Sequence, residues 1–219
     1  MVRRALALLH TSSVHVPVFE ALRDQDHPGF DLRHLVHEDL LARARAEGPD
    51  AVAGDIEELL VRTVAEGASV VLCTCSTIGA VTEARAAAVG VPLVRVDRPM
   101  AAAAVAAGRS VAVVATLEST LAPTRALVEE EAARAGRPVD VTTVLVEGAW
   151  ERFEAGDREG HLRLIADAVD ALEGVDSVVL AQASMAEAAD RAALPVPVLS
   201  SPRPGLSAAV RRCGEGVKS

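Results

Sequence analysis

An internal repeat constrains this chain more than any other feature. Ser69-Val70-Val71-Leu72-Cys73-Thr74-Cys75-Ser76 returns as Ser177-Val178-Val179-Leu180-Ala181-Gln182-Ala183-Ser184, with five of eight positions identical. The next apolar segment returns as well: Val91-Pro92-Leu93-Val94-Arg95-Val96 matches Leu194-Pro195-Val196-Pro197-Val198-Leu199 after similar Ala-rich stretches. Ala7-Leu8-Leu9-His10-Thr11 matches Ala112-Val113-Val114-Ala115-Thr116. The offsets run from 103 to 108 in a chain of 219 residues, so about half the chain repeats. Three matches in one order point to two similar halves.

Most of the repeated segments are continuous apolar runs. Such runs suit strands covered on both faces, in a mostly parallel sheet with helices on either side. The expected strands are Ala5–Leu9, Asp31–Val36, Ser69–Cys75, Leu93–Val96, Ser110–Ala115, Val139–Leu145, Ser177–Ala181 and Val196–Leu199. Helical spacing marks Asp55–Ala65, Thr120–Ala135 and Gly160–Leu172, and Gly67, Gly90, Gly136 and Gly174 sit where helices should stop. The expected fold is α/β: two pseudo-symmetric subdomains, each a mostly parallel four-stranded sheet flanked by helices. The active site is expected in the cleft between them, where strand C-termini face each other. The first subdomain takes residues 1–99 and 200–219, and the second takes 100–199. Leu206–Arg212 should return to the first as a final helix, and Gly214–Ser219 should fray.

Composition narrows the function. A net charge of −9 and 2% aromatic residues argue against nucleic-acid binding. The only lysine is Lys218, which removes Schiff-base chemistry, pyridoxal attachment and a phosphate-loop lysine. No Gly-rich dinucleotide fingerprint comes after the first strand, so a nicotinamide cofactor is not expected. Three cysteines do not suggest a disulfide framework. After Arg3 and Arg4 the apolar run stops at His10, short of the roughly seven residues a secretory core needs. No window approaches a membrane span. A cytoplasmic protein is expected, without membrane or nucleic-acid partners. Its oligomeric state stays open, a symmetric homodimer being the common choice for such enzymes.

Chemistry is expected at the strand ends. Thr11-Ser12-Ser13, Cys75-Ser76-Thr77, Thr116 to Thr120, and Ser184 each come after a strand and precede a helical stretch. Unpaired N–H groups at helix starts bind carboxylates, although Ser and Thr are also ordinary helix caps. Thr11, Ser12, Ser13, Ser76, Thr77, Thr116 and Ser184 are the candidate cradle for a small carboxylate. Cys75 is the candidate reactive group, since a helix N-terminus lowers a thiol pKa; the alternative is a buried apolar cysteine. Cys73 lies deeper, with Ala181 as its repeat partner, and reads as core. Cys213 reads as incidental. No metal is expected: Cys73-x-Cys75 lacks a second ligand pair, and His15, His27, His34 and His37 match no metal spacing and read as surface or hydrogen-bonded residues.

The run Val71-Leu72-Cys73-Thr74-Cys75-Ser76-Thr77, with the duplication and chain length, resembles the aspartate/glutamate racemase superfamily, where Cys-Asn-Thr closes a strand. That superfamily includes amino-acid and hydantoin racemases, maleate isomerase and arylmalonate decarboxylase. The resemblance implies a cofactor-free active site in which two cysteines face each other across the substrate's α-carbon. Here the second cysteine should align with Ala183, which has no acid–base chemistry.

Three outcomes remain. A lone thiol at Cys75 could run a one-base proton shift or decarboxylation. It could add to an activated double bond. Or another residue could be the second base. Glu118, directly after a second-half strand, is one candidate, and an ordinary first-turn carboxylate is its other reading. His10, ending the first strand, is the other, with a merely hydrogen-bonded histidine as its alternative. Arg98 in Asp97-Arg98-Pro99, and Arg203, could clamp a carboxylate or be solvated loop charges. The expected function is a cofactor-independent isomerase or racemase-like enzyme acting on a small carboxylate through an enolate-type intermediate. The alternatives are a decarboxylase of a malonate-like acid and a non-catalytic carboxylate-binding protein.

Overall fold

A computed structural model describes residues 5–215. Arg3, Arg4 and, in the tail expected to fray, residues 216–219 with Lys218 lie outside them. The chain forms two compact units. One runs to Val96 and resumes at Pro202; the other is Asp97–Ser201.

The first unit opens with β1 (Ala5–His10), a 3-10 turn (Ser13–His15), α1 (Val16–Asp26) and β2 (Leu32–Val36). It continues with α2 (Glu38–Glu47), α3 (Ala53–Ala65), β3 (Ala68–Cys73), α4 (Ser76–Glu83), α5 (Ala86–Val89) and β4 (Leu93–Arg95). The second unit holds α6 (Arg98–Ala107), β5 (Ser110–Ala115), α7 (Glu118–Ala135), β6 (Asp140–Leu145), α8 (Ala149–Glu154) and α9 (Arg158–Asp170). It closes with β7 (Ser177–Leu180), a 3-10 stretch (Ala183–Asp190) and β8 (Val198–Ser200). After β8, α10 (Pro202–Glu215) belongs to the first unit again.

Each unit is a four-stranded sheet with every pairing parallel, in the order β2-β1-β3-β4 and β6-β5-β7-β8. The duplicated sequence thus gives a duplicated topology. Apolar side chains alternate between two buried layers along each central strand. Ala7, Leu9, Val71 and Cys73 face a layer with Leu40, Ile56, Leu60 and Ile78 from α2, α3 and α4. Leu6, Leu8, Val70 and Leu72 face the other side, against Phe19 of α1 and Leu206 and Ala209 of α10. In the second unit Val111, Val113 and Val179 meet α6 and α7, while Ala112, Val114, Val178 and Leu180 meet α8, α9 and the 3-10 stretch. With helices on both faces, each strand's carboxyl end is left as the place for polar side chains.

The expected elements are present with shifted ends. β3 stops at Cys73 rather than Cys75, because its last pairings are with Leu9 and Arg95. Cys75 instead becomes the extended residue that caps α4. The Ala-rich stretch after β7 winds as a 3-10 helix, whereas its counterpart after β3 forms α4 and α5. Gly90 and Gly136 end α5 and α7 in the left-handed conformation, which lacks a Cβ penalty only for glycine.

Two glycines, one buried and one exposed, give opposite expectations for the same substitution. A Cβ on Gly205 of α10 would lie 2.5 Å from the Val96 carbonyl oxygen and 2.9 Å from its Cα, whereas one on Gly54 of α3 meets nothing within 4 Å. Gly205→Ala should therefore destabilise by ~1–3 kcal/mol through overpacking. Gly54→Ala should stabilise by ~0.5–1 kcal/mol through helix propensity. Urea unfolding of the two variants checks both signs.

Candidate active site at the strand ends

The loop after β3 carries the candidate thiol. Cys75 has extended backbone (φ −112°, ψ 120°) and precedes the first turn of α4, where Ser76 and Thr77 are buried. Its side chain is half-buried against the layer formed with α2, α3 and α4. Cys73 is 1% exposed in that layer, and its Sγ donates to the Cys75 carbonyl at 3.5 Å. The expected difference between the two cysteines is visible here as core against rim. Cys213 is on α10 and buried in the layer that this helix forms against the sheet.

Thr74 ties this loop to β1. Its backbone N–H donates to the Leu9 carbonyl at 3.0 Å, and its hydroxyl lies 3.1 Å from the same oxygen. That hydroxyl is also 2.8 Å from Nδ1 of His10. The other ring nitrogen, Nε2, is 2.8 Å from His34 Nδ1. His10 is fully buried with both nitrogens engaged, a placement that matches its hydrogen-bonded reading. Burial, then the neighbouring His34 and His15, pushes its pKa down to about 3. His15 is held at about 4 by burial.

The remaining polar residues divide by what already occupies them. Thr11 is buried and Ser12 half-buried after β1. Ser13 is exposed, and its amide and hydroxyl donate to Glu38 Oε1 at 3.3 and 3.4 Å. A carboxylate of the protein itself thus sits on that turn. In the second unit the Thr116 amide and hydroxyl donate to Gln182 Oε1 at 2.7 and 3.0 Å. Glu118 is the exposed first residue of α7. Ser119 beside it has a buried hydroxyl oxygen with no partner. Ala183 is 9% exposed and Ser184 half-buried, both in the 3-10 stretch after β7.

Neither arginine proposed as a clamp stands free. Arg98 pairs with Glu130 at 3.2 Å and with Glu131, both on α7. Arg203 pairs with Asp26. Among the described residues no group of three or more His, Cys, Asp or Glu side chains could hold a metal. No helix there is long and apolar enough to cross a membrane.

The family model for Asp/Glu/hydantoin racemases matches residues 11–209, from the turn after β1 to the middle of α10. The chain belongs to this family. No curated protein sequence matches it closely enough to count as a relative. The solved structure of glutamate racemase from Francisella tularensis in complex with D-glutamate is similar, with a TM-score of 0.74 at 13% identity over 99% of this chain and 83% of that one. An aspartate racemase homologue from Pyrococcus horikoshii has a TM-score of 0.65 at 15% identity, over 96% and 99%. A glycine-to-cysteine mutant of arylmalonate decarboxylase, in its sulfate-associated form, has 0.64 at 23% identity, over 98% and 95%. These likenesses establish the racemase fold.

Two residues of this region, Thr74 and Gln182, carry no expectation from the sequence, and a third, His34, carries only that of a surface or hydrogen-bonded histidine. Thr74 and Gln182 occupy one repeat position, and each reaches from the third strand's end to the first strand's end. The signal was present in the repeat, at a position where the two copies differ in residue type but share polarity. The place of His34 beside His10 gave no signal, since it depends on the β1–β2 register, which pairs Leu8 with His34.

The buried neutral histidines make stability depend on pH. The unfolded chain takes up their protons near pH 6.5 and the folded chain only near pH 3 to 4. Stability is therefore complete above pH 6.5 and falls as the pH drops, by about 1.4 kcal/mol per pH unit for each such group. Urea midpoints measured between about pH 7.5 and 5 should decline. His10→Gln, which keeps polar groups but no titration, should flatten that decline.

Proposed function

We propose that this chain is a cofactor-independent enzyme that uses the Cys75 thiol as its acid–base group at the α-carbon of a small carboxylate. The observation that carries the reading is the placement of Cys75: half-buried, at the carboxyl end of a central strand, directly before the first turn of α4. Backbone N–H groups of such a turn favour thiolate and developing oxyanion alike. Family membership and the D-glutamate held by one structural neighbour support the substrate class.

The expected partner thiol is replaced by Ala183. A symmetrical two-thiol racemisation is therefore set aside, and one thiol must suffice. In the isomerase reading, Cys75 thiolate takes the α-proton, the electrons move onto the carboxylate as an enolate, and the thiol returns a proton at another position or face. In the nucleophilic variant, the thiolate adds to an activated double bond, the resulting single bond rotates, and the thiolate leaves again. Donors held at the strand-end turns would stabilise the negative oxygen, each worth about 3 kcal/mol in such sites. Ser76, Thr77, Thr11 and Ser12 belong to that cradle in our reading.

Decarboxylation of a malonate-like acid is the second reading, and the single thiol favours it. Loss of carbon dioxide leaves the electron pair as an enolate, and Cys75 S–H then supplies the one proton the carbon needs. No second base is required on the opposite side. Glu118 is the exposed first-turn carboxylate of α7, and neither reading requires it as a base.

Cys75→Ala should lower turnover by roughly 10²–10⁴-fold, the contribution of one positioned acid–base group. Circular dichroism should show the fold retained. Full activity in that variant rejects the assignment. With an active substrate in hand, carbon dioxide release identifies the decarboxylase, and deuterium uptake from solvent without it identifies the isomerase. Binding of small carboxylates without turnover of any of them would leave a carboxylate-binding protein.

A further inference from the structure

The histidine that ends β1 belongs to an unbroken hydrogen-bonded chain. Thr74 Oγ1 is 2.8 Å from His10 Nδ1, and His10 Nε2 is 2.8 Å from His34 Nδ1. His34 Nε2 is in turn 2.8 Å from Glu20 Oε1 on α1. The inner end is closed off, with His10 and Thr74 exposed by 0% and 5%. The outer end reaches solvent, since the Glu20 side chain is 35% exposed. The rings of His10 and His34 are within 19° of parallel with centroids 5.1 Å apart, so they meet edge to edge through this link.

Each link needs one proton, and counting them leaves two arrangements. His34 Nε2 faces a carboxylate, so it must donate. When His34 is neutral, its Nδ1 accepts, His10 carries its proton on Nε2, and His10 Nδ1 accepts from the Thr74 hydroxyl. When His34 holds a second proton, its Nδ1 donates as well. His10 Nε2 must then accept, so the His10 proton sits on Nδ1 and donates to Thr74 Oγ1. The hydroxyl hydrogen turns to the Leu9 carbonyl, 3.1 Å away. The first arrangement holds three protons and the second four; the donors of the first all point outward and cannot pass a proton inward, so the added one is taken from solvent when the His10–His34 link opens and the His10 proton exchanges between its two nitrogens, and the charge rests on His34 beside Glu20.

We propose that Glu20, His34 and His10 are positioning residues for the Cys75 loop and act as a one-proton switch: protonation of His34 reverses the His10 tautomer and turns the Thr74 hydroxyl hydrogen from His10 to the Leu9 carbonyl, with Thr74 Oγ1 then accepting from His10. His10 and Thr74 lie on the α1 and α10 side of the sheet, whereas Cys75 packs on the other. The switch therefore holds the loop from behind and does not touch the reacting carbon. Its effect on chemistry rests on the Cys75 reading; the tautomer change does not.

The other groups packed about the switch are accounted for. Arg23 on α1 pairs with the second oxygen of Glu20. His15 faces His10 from the 3-10 turn. The His37 backbone N–H donates to the His10 carbonyl at 2.9 Å. Cys73 and Cys75 flank Thr74, and α10 contributes Leu206, Ala209 and the Cys213 thiol to the same layer.

The test is ¹⁵N NMR of the full chain labelled at histidine, between about pH 9 and 5, the range in which imidazoles titrate. As His34 becomes doubly protonated, His10 Nε2 should move from the range of a protonated nitrogen to that of a bare one. Nδ1 should move the opposite way in the same step. Glu20→Gln, which removes the carboxylate that His34 Nε2 faces, should move both changes together, and His34→Gln should abolish the His10 step. Alkylation of Cys75 by iodoacetamide should show a step at the same pH in the parent protein and lose it in His34→Gln. A His10 tautomer that stays constant while His34 titrates overturns the switch. A tautomer step without the alkylation step overturns its positioning role. Both readouts are independent of turnover, so an active Cys75→Ala enzyme would reject the proposed function and leave these results standing.

Discussion

Burial of both faces of each sheet is the constraint on which everything else depends. Four parallel strands with apolar side chains on either side need two helical layers, and each unit supplies them. The helices consume the faces, and the ladders consume the backbone groups of the strands. Polar side chains are then left to the strand ends, where hydrogen bonds can satisfy them. His10, Thr74, Thr116 and Gln182 all lie at those ends, and each bonds to a partner within its own unit. Function and fold are coupled here through a shortage of other places for polar atoms.

The two copies of the repeat have kept topology and diverged in chemistry. At one position Thr74 and Gln182 perform the same brace between first and third strands. On either side of that position the first copy has Cys73 and Cys75 where the second has Ala181 and Ala183. Alanine fills the buried second-copy positions without a reactive atom, and both are nearly closed to solvent. The packing role survives the exchange and the thiol does not. The one-thiol enzyme proposed above rests on this asymmetry.

Much of the fold was legible in the residues. Continuous apolar runs marked the strands, glycines marked where α5 and α7 stop, and the repeat announced two like sheets. Strand ends were less legible, because a ladder stops where its partner does: β3 ends at Cys73 for want of partners, though the repeated segment continues to Cys75. The site was legible only as a list of candidates. Ser13 and Thr116 looked like free donors, yet Glu38 and Gln182 occupy them. Glu38 lies 25 residues from Ser13, and Gln182 lies 66 from Thr116, separations that no local pattern encodes.

By itself, the order of residues determined the fold class and the duplication, because these depend on hydrophobic periodicity and identity along the chain. Tertiary structure alone decided which polar groups face each other. It placed His34 against His10 through a strand register and Glu20 against His34 through the seating of a helix. Hydrogen bonds act over about 3 Å whatever the distance in sequence, so their partners emerge only once the sheets are packed.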